Sequence, residues 1–423
     1  MEIRVKSPQS GTGASPGQRR GRGARRGLVA VSVVVGGALL LTACGGSGSA
    51  ESKSAAADAA AAKDASAAKI TITPKDQATN VGINNDAKVA VSDGTLTRVS
   101  MTEVDGGKMV TGKISADGRS WQPDGPLARA TAYKITAAAK DSGNRPATAN
   151  STFTTVSQAN SFIAYYTPDN NSTVGVGMPV SINFDKAITN KKDVESHIKV
   201  NSSSGQQVVG HWFGDQRLDF RPQDYWKAGS TVTLKLELDN VQGGKGLTGV
   251  QNKTVTFKVG HSQVSTVDVN TQTMTVVRDG KTIKTIPVST GSPQHTTYNG
   301  QMVISEKFET TRMDGKTVGF GGEYDIPDVP HAMRLSTSGT FIHGNYWSDK
   351  SIFGSTATSH GCIGLSDVRG GGDRTTDAAW FYGNSQVGDL VVVKNSHDST
   401  IAPDNGLNGW NMSWTAWKSG SAL

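Results

Sequence analysis

Twenty residues near the C-terminus carry the side chains best suited to covalent chemistry: His343-Gly344, then fourteen residues, then Ser359-His360-Gly361-Cys362. A thiol attacks a carbonyl efficiently only as thiolate, and a neighbouring imidazole is the commonest means of holding it deprotonated near neutral pH. Cys362 is therefore read as a nucleophile with two histidines in reach. Gly361 removes a Cβ immediately before the thiol, so the backbone turns tightly and aims successive N–H groups at the reacting carbonyl oxygen. The chemistry implied is cysteine acyl transfer.

Two other chemistries use the same residue types. A zinc site needs three or four convergent ligands, and His343, His360 and Cys362 with His331 or His295 supply enough of them. No spaced pair such as HExxH or CxxC is present, so the expectation is no metal and no cofactor. A papain-like protease also pairs Cys with His, but its cysteine opens a helix early in the domain, whereas Cys362 follows its histidine in a β-rich stretch.

The elements that position these residues belong to a long chain. At 423 residues, a prior of roughly 100–200 residues per domain gives two to four units. Fifty glycines with frequent Val, Thr and Ser favour β modules over helical bundles. The formal charge of +7 suggests an anionic partner until it is located. Residues 1–43 hold seven bases against Glu2, which is +6 and leaves +1 for everything else, so no nucleic-acid partner is expected.

That same segment reads as a secretory signal: a basic stretch, an apolar run of 14 residues from Leu28 to Leu41, then small residues. The run is shorter than the ~20 residues of a membrane-spanning helix, which disfavours an uncleaved anchor. Leu41-Thr42-Ala43-Cys44 resembles the lipobox of bacterial lipoproteins, which implies cleavage before Cys44 and a lipid on its thiol. The expected location is extracytoplasmic, on the outer face of the cell membrane and reaching into the wall. With Cys44 lipidated, Cys362 is the only other cysteine and has no disulfide partner.

Residues 44–68, nearly all Ala, Ser, Gly, Asp and Lys, read as a flexible linker. Residues 69–157 show short alternating segments separated by Asp-Gly turns, the pattern of an antiparallel sandwich, and residues 158–260 repeat it. Trp121 and Pro123 match Phe220 and Pro222, while Tyr133, Ile135 and Ala137 match Val232, Leu234 and Leu236. Two tandem immunoglobulin-like domains follow as the reading. Their expected role is spacing; Trp212, Phe213, Tyr225 and Trp226 either stack on sugars or pack internally. Residues 261–395 stay β-rich, with a hairpin turn at Asp279-Gly280, a helix near Thr375 to Asn384, and a Gly-rich stretch between Lys307 and Pro330 read as a long lid loop. Residues 396–423 form a C-terminal subdomain expected to pack on that domain.

From about His261 to the end, roughly 160 residues, the chain resembles the L,D-transpeptidase catalytic domain of peptidoglycan synthesis. Ser359-His360-Gly361-Cys362, the upstream His343-Gly344, and the tail from Gly406 to Asn411 and Trp414 to Trp417 carry the likeness. The fold class implied is mainly β: two sandwiches, then a mixed β catalytic domain with one flanking helix. The resemblance implies that Cys362 attacks the carbonyl after the third residue of a tetrapeptide stem, expels D-alanine, and passes the acyl group to an amine of a second stem. His343 is then the base, the Gly344 carbonyl orients it, and N–H groups of His360, Gly361 and Cys362 meet the oxyanion. Tyr324, Trp347, Ser359 and His360 are expected to contact substrate, and carbapenems to acylate Cys362. Gly364 departs from the pattern, since many relatives carry Asn there, and is the one feature favouring a domain that no longer turns over.

Overall fold

A computed structural model describes residues 65–423, and the chain is mainly β throughout that span. The leader, Cys44 and most of the expected linker lie outside the described residues. The last linker residues do not: Ala67 N–H bonds Asp141 Oδ2 at 2.9 Å, and Ala68 is buried in the first core. Ordered structure thus begins before Lys69, because the Asp141 carboxylate captures the chain just ahead of its first strand.

The first sandwich packs a four-stranded sheet on a five-stranded one. Strand alternation does the work, as Ala132–Lys140 turns Tyr133, Ile135, Ala137 and Ala139 inward and its polar residues outward. In the second sandwich Thr231–Glu237 repeats this with Val232, Leu234 and Leu236, and Trp121 and Phe220 are both buried. A short helix, Lys191–Ser196, is an addition that the turn pattern did not predict.

The C-terminal domain is one nine-stranded sheet. Its strands are β1 Gln263–Asp268, β2 Thr273–Arg278, β3 Lys281–Ser289, β4 Gly300–Val303, β5 Glu306–Asp314, β6 Asp325–Arg334, β7 Phe341–Asn345, β8 Ile363–Ser366 and β9 Leu390–Lys394. They lie in the order β4-β9-β1-β2-β3-β8-β7-β6-β5. Asp279 and Gly280 take positive φ, 49° and 79°, as a two-residue turn between β2 and β3 requires. Helix α1, Asp377–Asn384, is capped by the Thr376 hydroxyl and buries Ala378 and Phe381 on the core of the sheet.

The stretch expected as a long lid loop is instead a β-hairpin. β5 pairs with β6 from Glu306↔Arg334 to Asp314↔Asp325, and only residues 315–324 at the tip are irregular. The glycines concentrate there, with Gly319, Gly321 and Gly322 at positive φ. Phe308, Met313, Ile326 and Val329 give the arms an apolar face to bury, which outweighs the polar, Gly-rich look of the segment.

The tail corrects a second expectation. It bridges the C-terminal domain and the second sandwich rather than packing on the former alone. Asn408 bonds Val303 N and Leu335 O, whereas Trp410 Nε1 donates to Gly177 O and helix α2, Trp414–Lys418, lies on the second sandwich, with Trp417 Nε1 donating to Val209 O at 2.9 Å. Arg221 is the reason: its buried guanidinium lies 4.7, 5.5 and 4.4 Å from the Trp410, Trp414 and Trp417 rings. Trp212 and Trp226 are buried, Phe213 packs on Trp417 and Tyr225 on Trp410, so the four candidate sugar-stacking aromatics are spent internally. The joint between the two sandwiches differs, being made of polar contacts such as Asn84 to Asp239 at 2.8 Å and Asn240 to Asp86 at 3.0 Å.

Where the second sandwich meets the sheet, Gly175 N–H donates to Val387 O and Gly177 N–H to Gly388 O, both at 2.8 Å. Asp389 is fully buried in this joint, and burial pushes its carboxyl up to about 7. An unfolded Asp titrates near ~4, so between those values the folded protein holds a proton that the unfolded chain has released. This stabilising contribution is fully present below about pH 4 and is lost as pH rises through 7. Asp389→Asn is therefore expected to raise unfolding free energy at pH 8 by on the order of 2 kcal/mol and to change little at pH 4. Urea midpoints at the two pH values check this, and equal effects at both would refute it.

Candidate active site

β7 and β8 are parallel neighbours in the register Ile342↔Ile363, His343↔Gly364 and Asn345↔Ser366. Parallel strands cannot be joined by a tight turn, and a crossover of a dozen or more residues is required. The residues between His343 and Cys362 are that crossover, which explains their spacing. Side chains in parallel register share a face, so His343, Asn345 and Gly364 face one way, and Cys362, two residues before Gly364, continues the same row. Ile342, Ile363 and Leu365 alternate to the other face and enter the core.

Thiol and imidazole thus line one cavity of about 310 Å³, together with Met313, Tyr324, Ile326, Asn345, Trp347 and Gly364. Cys362 is 9% exposed and packs with Met313, Val329, Ala332 and Phe341. Burial pushes its thiol up to about 11, against a smaller opposing hydrogen bond from the Phe341 backbone. His343, 5% exposed, is pushed below the ordinary histidine value by burial, opposed by the Gly344 carbonyl and the Asp367 carboxylate. Burial thus favours the neutral form of both groups in the free site. The apolar wall of Met313, Val329, Ala332 and Phe341 works against a standing thiolate in the free site.

His343 Nδ1 lies 3.0 Å from Gly344 O, so its N–H donates there and Nε2 keeps the free lone pair. Glycine at 344 has a packing cause as well. A Cβ there would lie 2.1 Å from Asp367 Oδ2, whose carboxylate is held at 2.7 Å from His331 Nδ1 and accepts from the Thr376 hydroxyl.

Gly361 has φ 101°, a conformation open to glycine alone at little cost. Its N–H is turned to Ser359 Oγ at 3.2 Å, and the same hydroxyl donates to Cys362 O at 2.6 Å. Ser359 is thus a brace for the thiol loop, although it also borders the cavity. His360 lines the cavity as well, and its ring also reaches the hairpin tip, bonding Glu323 at 3.0 Å and meeting Tyr324 and Phe320. Tyr324 is half-buried and its hydroxyl is pushed up to about 12, mainly by burial. Trp347, 42% exposed, stacks on His343 with centroids 5.7 Å apart and planes 21° apart.

Asn345 escaped the sequence reading. Its carboxamide accepts from Trp347 N and Ser348 N and donates to Ser348 Oγ, fixing the start of the crossover. A Cβ on Gly364 would meet it at an ordinary 3.5 Å, so Asn345 supplies an amide beside the position where Gly364 lacks one. Strand alternation from His343 was the available signal. Asp328 was missed as well: it accepts from the Tyr346 hydroxyl and pairs with Arg369 at 3.0 Å, tying β6 to the crossover.

Comparison with known proteins agrees with this architecture. Residues 78–242 match the bacterial Ig domain family and residues 262–393 the L,D-transpeptidase catalytic domain family. The chain is 32% identical over 421 residues to L,D-transpeptidase 2 of Mycobacterium tuberculosis (strain CDC 1551 / Oshkosh), covering 98% of this chain and 99% of that one. It is 30% identical over 364 residues to L,D-transpeptidase 5 of the H37Rv strain, covering 84% and 78%. Among solved structures, that of the L,D-transpeptidase LdtMt1 in complex with imipenem is similar at 28% identity and a TM-score of 0.46, covering 55% of this chain and 98% of that one. The protein is thus of mainly β architecture, with Ig-like structure ahead of a transpeptidase catalytic domain. The chain belongs to the L,D-transpeptidase family.

Proposed function

We propose that the chain forms three-to-three peptidoglycan cross-links through a thioester on Cys362, acting at the outer face of the cell membrane while anchored by a lipid on Cys44. The observation that carries the catalytic part is the row on adjacent parallel strands that puts a buried thiol and an imidazole with a free Nε2 into one cavity. Cofactor and metal have no role in this sequence of steps.

His343 Nε2 takes the Cys362 proton as sulfur attacks the carbonyl after the third residue of the donor tetrapeptide. Because burial favours the neutral thiol, proton transfer accompanies attack. The oxyanion meets backbone N–H groups of the 360–362 loop, with Gly361 exchanging its long bond to Ser359 for the substrate oxygen. The tetrahedral adduct collapses, the imidazolium returns its proton to the departing D-alanine amine, and the thioester remains. An acceptor-stem amine then attacks the thioester as His343 removes its proton, and the thiol is regenerated. Tyr324 and Trp347 wall the cavity on which the stem lies. Carbapenems acylate the same sulfur in this reading.

Incubation with tetrapeptide muropeptides tests the proposal. Cross-linked dimer and free D-alanine are expected from the native chain and neither from Cys362→Ala. Absence of both products with the native chain would overturn it. For the anchor, loss of membrane association in Cys44→Ala is the expected result, and unchanged association would remove that part.

A further inference from the structure

Three side chains outside the acid, base and nucleophile set meet where the hairpin tip touches the thiol loop. His360 Nε2 and His295 Nε2 approach the same Glu323 oxygen at 3.0 and 3.4 Å, and the three donor atoms lie within 4.8 Å of one another. The two imidazoles stack with centroids 4.7 Å apart and planes 20° apart.

Their carriers are tied together independently of the hairpin. Ser292 N–H donates to Ser359 O at 2.8 Å, Gly291 bridges Ser359, and a Cβ on Gly361 would touch the His295 carbonyl at 4.0 Å. Both rings are thus placed by rigid neighbouring loops, and the hairpin adds only the carboxylate. Phe320 sets its ring against both imidazoles, at 5.1 and 5.5 Å, and screens them on one side.

We propose that His295, Glu323 and His360 form a binding site for a zinc-class divalent cation. Ligand bonds of ~2.0–2.2 Å in tetrahedral geometry put neighbouring donor atoms about 3.4 Å apart, and both imidazole-to-carboxylate distances lie close to this. The stacked rings hold their in-plane lone pairs in nearly parallel planes, so binding requires both imidazoles to tilt about Cβ–Cγ toward Glu323. Two imidazoles with one carboxylate suit zinc, copper or nickel rather than the all-oxygen preference of magnesium or calcium. Three protein ligands leave a fourth position open to water or a substrate group. Such a cation would pin the hairpin tip to the loop two residues before Cys362. The ligands are scattered along the chain, with 37 residues from Glu323 to His360, which is why no metal spacing is visible in the sequence.

Calorimetric titration of zinc chloride into the full chain tests this, with Cys362→Ser to remove a competing thiol. One zinc per chain is expected, weakened at least about tenfold by His295→Ala and by Glu323→Gln with unchanged circular dichroism. Cobalt(II) in the same chain should give tetrahedral d–d absorption without a thiolate charge-transfer band. No saturable binding, or binding that both substitutions leave intact, would overturn the site and leave an imidazole–carboxylate clamp. The readout does not depend on transpeptidation, so its failure is distinct from failure of that activity.

Discussion

Replacing His343 with glutamine is expected to slow acylation of Cys362 by a factor of about 100 to 10,000, the usual worth of a positioned general base. The effect is large because burial holds the thiol near 11 and leaves almost no thiolate at neutral pH. A site resting as thiolate and imidazolium would also lose its thiolate without the histidine, so the size of the effect alone does not separate the two resting states. Their pH dependence does. Burial pushes His343 below the ordinary histidine value, which favours the free base, so acylation should stay flat through neutral pH and fall only below pH 6.5. Alkylation by iodoacetamide, which needs thiolate, should instead climb steadily toward pH 11 in both the native chain and His343→Gln. Stopped-flow acylation by a carbapenem, monitored beside iodoacetamide labelling, separates them. Fast labelling at pH 6 that collapses in the variant would show a preformed ion pair and overturn the neutral resting state.

Trp417→Ala is expected to cost about 3–5 kcal/mol, as for other fully buried large aromatic residues. Trp417 is 0% exposed, donates to Val209 O, stacks on His211 at 4.8 Å and forms one wall of the Arg221 site. Burial lowers the Arg221 guanidinium to about 10, which marks how little water reaches it. Its partners there are ring faces and the carbonyls of Pro222, Gln223 and Met412. Removing one ring leaves a cavity beside a buried cation, so cavity and desolvation costs act together. Calorimetry should show the second sandwich and C-terminal domain melting earlier, while the first sandwich, joined through polar contacts, is unmoved. Trp417→Phe should retain most of the stability. A loss below about 1 kcal/mol in Trp417→Ala would mean that the tail is not what couples the two units.

Much of the site was legible because its residues obey local rules. Gly361 precedes the thiol since the turn needs positive φ, and His343 stands at the distance from Cys362 that a parallel crossover demands. Strand alternation marked Tyr133, Ile135, Val232 and Leu234 as core, and family resemblance supplied the roles. These features depend on backbone conformation and periodicity, both written along the chain.

What remained hidden depends on which surfaces meet. The thiol's protonation follows from Met313, Val329, Ala332 and Phe341 closing around it, three of them on a hairpin that its own composition made look like a loop. Gly344 is required by Asp367, and Glu323 reaches two histidines from a distant turn. Arg221 draws three tail tryptophans onto the second sandwich, where the sequence shows only aromatic residues free to pack anywhere. The sequence by itself determined the β class and the tandem sandwiches, through alternation, and the spacing of His343 from Cys362 that a parallel crossover requires. Tertiary structure alone decided the burial of the thiol and imidazole, the hairpin form of the Gly-rich stretch and the docking of the tail, because desolvation and cation–π contacts arise only between segments brought together by folding.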